Sequence, residues 1–114
     1  MITVYGIANC DSIKKARTWL AAHGQVHIFH DFKKHGVPPD ALALWAQAAG
    51  WEALLNRKGT TWRGLTAESQ ATAVHAAGAQ SLMQAHPSLI KRPVVDWGDA
   101  VTVGFDAEAW AGRV

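Results

Sequence analysis

The hydrophobic pattern of this chain changes period once between Met1 and Leu20, and that change limits the folds open to it. Met1-Ile2-Thr3-Val4-Tyr5 is an apolar run of strand type. From Ile13 onward apolar side chains recur at helical spacing, with Ile13, Ala16 and Leu20 on one face and Trp19 on its flank. Between them lies Gly6-Ile7-Ala8-Asn9-Cys10, a tight turn. The spacing predicts a buried strand over residues 2–5, a helix from about Asp11 to about His23, and Gly24 as the residue just past its end. Gln25-Val26-His27-Ile28-Phe29-His30-Asp31 then alternates, with His27, Phe29 and Asp31 on one face and Val26, Ile28 and His30 on the other. Strand, helix and strand in close succession make a βαβ unit, whose strands run parallel with a right-handed crossover.

The middle of the chain reads as helical. Lys33-Lys34-His35-Gly36 is expected to be a polar turn, and Pro38-Pro39 to open a helix over about Asp40 to Ala49, ended by Gly50. Trp51 to Asn56 reads as a short helix and Arg57 to Gly64 as a basic loop. Thr66 is placed to cap a helix from about Ala67 to Ala76, with Gly78 as a break before a further helix over about Ala79 to Ala85. His86-Pro87 ends that helix, because a residue preceding proline leaves helical geometry. Val94-Val95-Asp96 and the run from Ala100 to Phe105 form an antiparallel hairpin, and Asp106 caps a closing helix over about Ala107 to Ala111. The sum is an α/β chain with a mixed four-stranded sheet, expected to carry helices on both faces.

With 114 residues, 49% hydrophobic and 18% charged, the chain is expected to form a single globular domain, 1–114. A formal net charge of +2 is too small to draw nucleic acid by bulk attraction, so no direct nucleic-acid partner is expected. One cysteine cannot make an internal disulfide, which fits a reducing compartment. The N-terminal pattern reaches Asp11 and Lys14 too early for a signal peptide, and no apolar run approaches the roughly 20 residues of a bilayer span. A cytoplasmic monomer without membrane contact is the expectation. The six histidines are scattered without metal-ligand spacing, so neither a metal nor a bound cofactor is expected.

Cys10 is the candidate nucleophile. A cysteine at a helix start meets unpaired N–H groups and the positive end of the dipole, which favour thiolate over thiol. Lys14 adds to that effect, as does Lys15, and Asp11 opposes it. A lone cysteine is otherwise a small core hydrophobe; the strand-to-helix position is what sets this one apart. Ser12 is open to two readings, a hydrogen bond to the thiolate or satisfaction of first-turn backbone groups. Three residues after Cys10, where a dithiol motif has its second cysteine, stands Ile13. Turnover therefore needs an external thiol, with glutathione the natural co-substrate, acting through a mixed disulfide.

Asn9-Cys10 after the first strand, Ile13-Lys14-Lys15-Ala16, Leu54-Leu55-Asn56-Arg57 and Leu89-Ile90-Lys91-Arg92-Pro93 resemble, in order and over essentially the whole chain, the arsenate reductase-like family. That family (ArsC and Spx) holds glutathione-dependent arsenate reductases and transcription regulators. Gly59-Thr60-Thr61-Trp62-Arg63 is similar to its small YffB branch. The resemblance implies a thioredoxin-like fold with an inserted helical subdomain at about 38–88, and a cis Arg92–Pro93 bond near the sulfur. Cys10 and Arg92 are the expected catalytic residues, with Arg92 meeting the anion as the resemblance implies, and Asn9, Ser12, Lys14, Arg57 and Pro93 are the expected substrate-binding residues. The family arginine after Leu-Leu is displaced: Asn56 holds its place and Arg57 follows, a helical rotation of about 100°. Which of Arg57, Lys58 and Arg63 faces the site stays open. The stretch Val103-Gly104-Phe105-Asp106 lacks the third anion-binding arginine of arsenate reductases, which argues against arsenate itself. The implied function is a glutathione-dependent monothiol reductase acting on a small disulfide, a glutathionylated thiol or an oxyanion. The alternative is a Spx-like regulator that binds the C-terminal domain of the RNA polymerase α subunit. Ile13 excludes the Cys-x-x-Cys switch usual in such regulators. An arsenate reductase proper ranks third.

Overall fold

The computed structural model describes all 114 residues. In chain order the elements are β1 (Ile2–Gly6), α1 (Asp11–Ala22), β2 (His27–Asp31), α2 (Phe32–His35), α3 (Pro39–Ala49), α4 (Trp51–Leu54), α5 (Thr60–Arg63), α6 (Ala67–Ala71), α7 (Ala76–Ala85), a 3-10 turn (Pro87–Leu89), β3 (Val94–Asp96), β4 (Val101–Val103) and α8 (Ala107–Ala111). The strands form one four-stranded sheet in the order β2-β1-β3-β4. It is mixed, as the pattern required: β1 runs parallel to β2 and antiparallel to β3, and β3 pairs antiparallel with β4. The chain divides into two compact units, a sheet unit of Met1–His35 with Arg92–Val114, and a helical unit of Gly36–Lys91.

In the sheet unit, the register sets Val4 beside Val95. On that face α1 lays Ile13, Ala16 and Leu20, and together with Trp110 these side chains form a buried core. The helix begins at Cys10, whose extended backbone (φ −144°, ψ 127°) is ordinary for a cap residue. It ends before Gly24, at φ +69°, a conformation only glycine adopts without cost.

The five-residue α8 is too short to stand alone. The Asp106 carboxylate accepts the Ala109 N–H at 3.1 Å, a cap worth about 1 kcal/mol. Trp110 is 1% exposed and lies edge-on to Trp19, Trp97 and Phe105, with centroids 5.6, 5.0 and 4.9 Å away. Aromatic pairs of this kind contribute about 0.5–1.5 kcal/mol each beyond their burial. Packing of Trp110 outweighs the cap in holding α8.

The opposite face carries Tyr5, its ring centroid 5.1 Å from His30 and 6.4 Å from Phe32. Thr3 pairs with Asp96 and Tyr5 with Val94, so Asp96 is a diagonal neighbour of Tyr5 on one face. Burial, and then the Asp96 carboxylate, push the Tyr5 phenol above its usual range.

In the helical unit, Pro38 precedes α3, which buries Leu42, Trp45 and Ala46. An antiparallel bridge joins Leu55 to Ile90, flanked by bonds from Asn56 N–H to the Leu89 carbonyl (2.7 Å) and Lys91 N–H to the Leu54 carbonyl (2.9 Å).

The structure departs from the sequence expectations in four places. The helix expected over Trp51 to Asn56 stops at Leu54, because Leu55 turns extended (ψ 123°) to bridge Ile90. The expected polar turn at 33–36 is largely helix: α2 starts on buried Phe32, and the Asp31 carboxylate accepts the Lys33 N–H at 2.9 Å. The basic loop contains the helical turn α5. The break expected at Gly78 falls instead between α6 and α7, where the His75 ring nitrogen accepts the Gly78 N–H at 3.0 Å and starts α7 early. Gly78 lies inside that helix, and the position takes glycine because a Cβ there would land on the Thr72 carbonyl oxygen.

Two tests follow from these contacts. Alanine for glycine within a helix ordinarily gains about 0.5–1 kcal/mol. Gly78→Ala is expected to lose about 1–3 kcal/mol instead, since the Thr72 carbonyl is backbone and cannot swing away. A urea midpoint at or above wild type would contradict this. Tyr5 is the only tyrosine, so its tyrosinate absorbance reads one group. Its titration is expected above the free value of about 10. The unfolded chain then releases that proton first, so stability from the neutral phenol is complete below about pH 10 and falls as pH rises toward the folded value. Tyr5→Phe should flatten this alkaline loss; an unchanged slope would contradict it.

Candidate functional site

The C-terminal end of β1 positions Cys10. Gly6 closes that strand, and a Cβ on it would collide with the side chain of Ile13. Glycine is what lets the first turn of α1 fold back onto the strand end. The turn buries Ile7 and exposes Ala8 and Asn9, and Cys10 is half-buried. The Cys10 carbonyl accepts the Lys14 N–H at 3.0 Å, the first bond of α1. Its thiol makes no capping hydrogen bond. The N–H groups of Asp11, Ser12 and Ile13 have no acceptor within the helix, and they open toward the cap position. Cys10 also packs against the core formed by Val4, Ile13, Val95 and Trp110, so one side of the residue is dry.

Two further segments reach the same sheet end. Tyr5 pairs with Val94 and Val94 with Val103, so Pro93 and Gly104 continue the register beside Gly6. The Arg92–Pro93 bond is cis. The Pro93 carbonyl accepts the Gly104 N–H at 2.9 Å. Arg92 Cγ stands 3.7 Å from the Cβ position of Gly6, which lays the arginine stem against the end of β1. Segments 7–10, 92–93 and 104–105 thus share one end of the sheet, an edge made by strand termini.

Of the residues singled out from sequence, Cys10, Asn9, Ser12, Lys14, Arg92 and Pro93 all belong to this edge or to the first turn of α1. Ser12 is half-buried at the second helical position, and Lys14 is exposed. Arg57 belongs to the helical unit and is engaged there. Its Nη2 donates to the Ala73 carbonyl at 3.2 Å, and its guanidinium carbon lies 5.8 Å from the Trp51 ring and 5.5 Å from the Trp62 ring. Each cation–π contact is worth about 0.5–1 kcal/mol at an exposed position. Trp62 is therefore a packing partner of that arginine. Lys58 and Arg63, of the same unit, are exposed.

Sequence reasoning overlooked Arg17. Its Nε donates to His27 Nε2 at 3.2 Å, and its guanidinium lies 4.7 Å over the Phe29 ring. Accepting at Nε2 leaves His27 with its proton on Nδ1, which donates to the Gln25 carbonyl at 3.2 Å. Lys14, Arg17 and Thr18 line a groove of about 380 Å³ on that flank of α1. The available signals were the three-residue spacing from Lys14 and the parity that turns His27 and Phe29 toward the helix. No three His, Cys, Asp or Glu side chains gather in a way that would hold a metal ion.

The model of the ArsC family matches residues 5–112. A YffB protein of known structure is 44% identical, with a TM-score of 0.94 over 98% of this chain and 97% of that one. An arsenate reductase (ArsC) related protein from Brucella melitensis is also 44% identical, with a TM-score of 0.76 over 97% and 92% of the two chains. A Haemophilus influenzae protein whose function is uncharacterised is 38% identical over 110 residues, 96% of each chain. The sheet with its inserted helices is thioredoxin-like, and by sequence and structure the chain belongs to the ArsC family.

Proposed function

We propose that this protein is a monothiol reductase that draws its electrons from glutathione, with Cys10 as nucleophile. One observation carries the reading: the single cysteine caps α1 with its thiol unspent in capping, at the sheet edge that also holds Arg92 and the cis Pro93. A Brucella melitensis relative is described as an arsenate reductase related protein, which supports a reductase reading.

On this reading Cys10 attacks the glutathionyl sulfur of a mixed disulfide. A bond forms between Cys10 Sγ and glutathione, the original S–S bond breaks, and the released thiolate takes a proton from water. A second glutathione thiolate then attacks the adduct, giving oxidised glutathione and regenerating the Cys10 thiolate. One disulfide is reduced and two glutathione sulfurs are joined, so electrons balance without a second cysteine. The N–H groups at the helix start stabilise the attacking thiolate, and Arg92 pairs with the charge on the departing sulfur or on a carboxylate. Ser12 and Lys14 add donors on the helix side, and Asn9 and Pro93 shape the entrance. A monomer free of metal and bound cofactor is sufficient for this chemistry. A reducing compartment such as the cytoplasm would supply the glutathione. No helix is long and apolar enough to cross a membrane.

Arsenate is a poorer fit, because Phe105 occupies the stretch where an arginine would be needed for a dianion. Incubation with oxidised glutathione is expected to place one glutathione on Cys10, seen by intact mass and peptide mapping, and none on Cys10→Ser. Arg92→Ala should lower kcat/KM for a glutathionylated thiol by about a hundredfold, with Arg92→Lys recovering part. Failure of Cys10 to take up glutathione, together with no turnover of glutathionylated substrates, would overturn the proposal.

A further inference from the structure

We infer that the groove between α1 and segment 104–105 receives the organic group of the disulfide that Cys10 attacks, and that it selects an aromatic or bulky apolar group with an acidic end. The inference rests on the reductase reading and names its substrate class. The groove holds about 510 Å³ and is lined by Lys14, Lys15, Thr18, Trp19, Ala22 and Phe105. That volume is within the range of small-molecule sites, about 300–1,000 Å³.

Its walls are two aromatic rings that are already fixed. Trp19 stacks on His23 at 3.8 Å, and the His23 Nδ1 is 2.8 Å from the Trp19 carbonyl. Trp19 also lies at 77° to the ring of buried Trp110, 5.6 Å away. Phe105 rests on the Trp110 indole too, at 4.9 Å and near-perpendicular at 84°. Gly104, at φ +89° with its N–H on the Pro93 carbonyl, ties Phe105 to the cis-proline segment. A groove with both walls braced by one buried residue costs a ligand little ordering on binding.

The position and charge of the groove favour a substrate of Cys10. Lys14, whose N–H bonds the Cys10 carbonyl, lines the groove one helical turn along the chain from Cys10. Cys10, Trp19 and Phe105 pack against one core cluster. Lys14 and Lys15 are exposed cations, and none of the lining residues is acidic. An aromatic carboxylate or sulfonate matches rings and cations together, whereas a small oxyanion would meet the cations and leave the Trp19 and Phe105 side chains that line the groove without a partner. In the reaction, the group seated here would be the thiol released when the glutathionyl sulfur passes to Cys10.

The groove can be tested apart from the chemistry. In an NMR titration of the intact protein, naphthalenesulfonate is expected to shift the Trp19 indole and the amides of Lys14, Lys15 and Phe105. Uncharged naphthalenemethanol should bind more weakly. Phe105→Ala and Lys15→Glu should each weaken naphthalenesulfonate about tenfold; the second alters only an exposed side chain, so it decides the matter if the first fails to fold. In turnover, wild type should favour the disulfide of glutathione with 4-(mercaptomethyl)benzoate, an alkyl thiol that leaves about as readily as cysteine, over the glutathione–cysteine disulfide by about tenfold in kcat/KM, and either variant should erase that ratio. Shifts scattered over the surface, an unchanged Kd in Lys15→Glu, or equal kcat/KM for the two disulfides in wild type would overturn the inference. Failure of the reductase reading shows separately, as absence of a glutathione adduct on Cys10 whatever the titration gives.

Discussion

The contact between Gly6 and Ile13 is the constraint on which the rest of the sheet unit depends. With no side chain at the end of β1, the first turn of α1 closes directly over the strand, and Ile13 reaches the core beside Val4. That closure brings Cys10 back to the sheet edge and lines up Ala16 and Leu20 behind it. Glycine's greater loss of conformational freedom on folding, about 0.5–1 kcal/mol relative to alanine, is small beside the several buried side chains the closure permits, each worth about 1.5–3 kcal/mol.

β1 then acts as the common reference for everything placed at that edge. Its register with β3 fixes Pro93, and the register of β3 with β4 fixes Gly104. The chemistry is therefore assembled from three separate stretches of chain, two of them placed by backbone pairing and the third by the packing of Ile13 over Gly6. Trp110 serves the same unit from the far end of the sequence. One indole packs against Trp19, Trp97 and Phe105 and joins the core of α1 to the segment after β4.

Much of this architecture was legible in the residues, because hydrophobic period and glycine placement act locally. The change of period before Ile13 gave β1 and α1, and alternation gave β2 and its two faces. The cis Arg92–Pro93 bond came only from family resemblance, since nothing local distinguishes it from any other residue–proline pair. What sequence missed lay where a side chain finds a backbone partner outside its own element. His75 starts α7 by accepting the Gly78 N–H, and the Thr72 carbonyl explains Gly78 better than a helix break does. Arg57, expected in a basic loop, is held by the Ala73 carbonyl and two indoles of other elements. Arg17 and Phe105 acquire meaning only once α1, β2 and the chain after β4 are in place together.

The single half-buried cysteine has a consequence for survival under oxidative stress. A sulfenic acid formed on Cys10 by peroxide has no second thiol in the chain with which to condense. Protection from the irreversible sulfinic and sulfonic states must then come from outside, by capture with a small thiol before a further oxidant arrives. The dry side that the core gives Cys10 narrows the path of an oxidant, and the exposed turn before it leaves a way in for a rescuing thiol. The durability of this protein is thus tied to the thiol content of its surroundings.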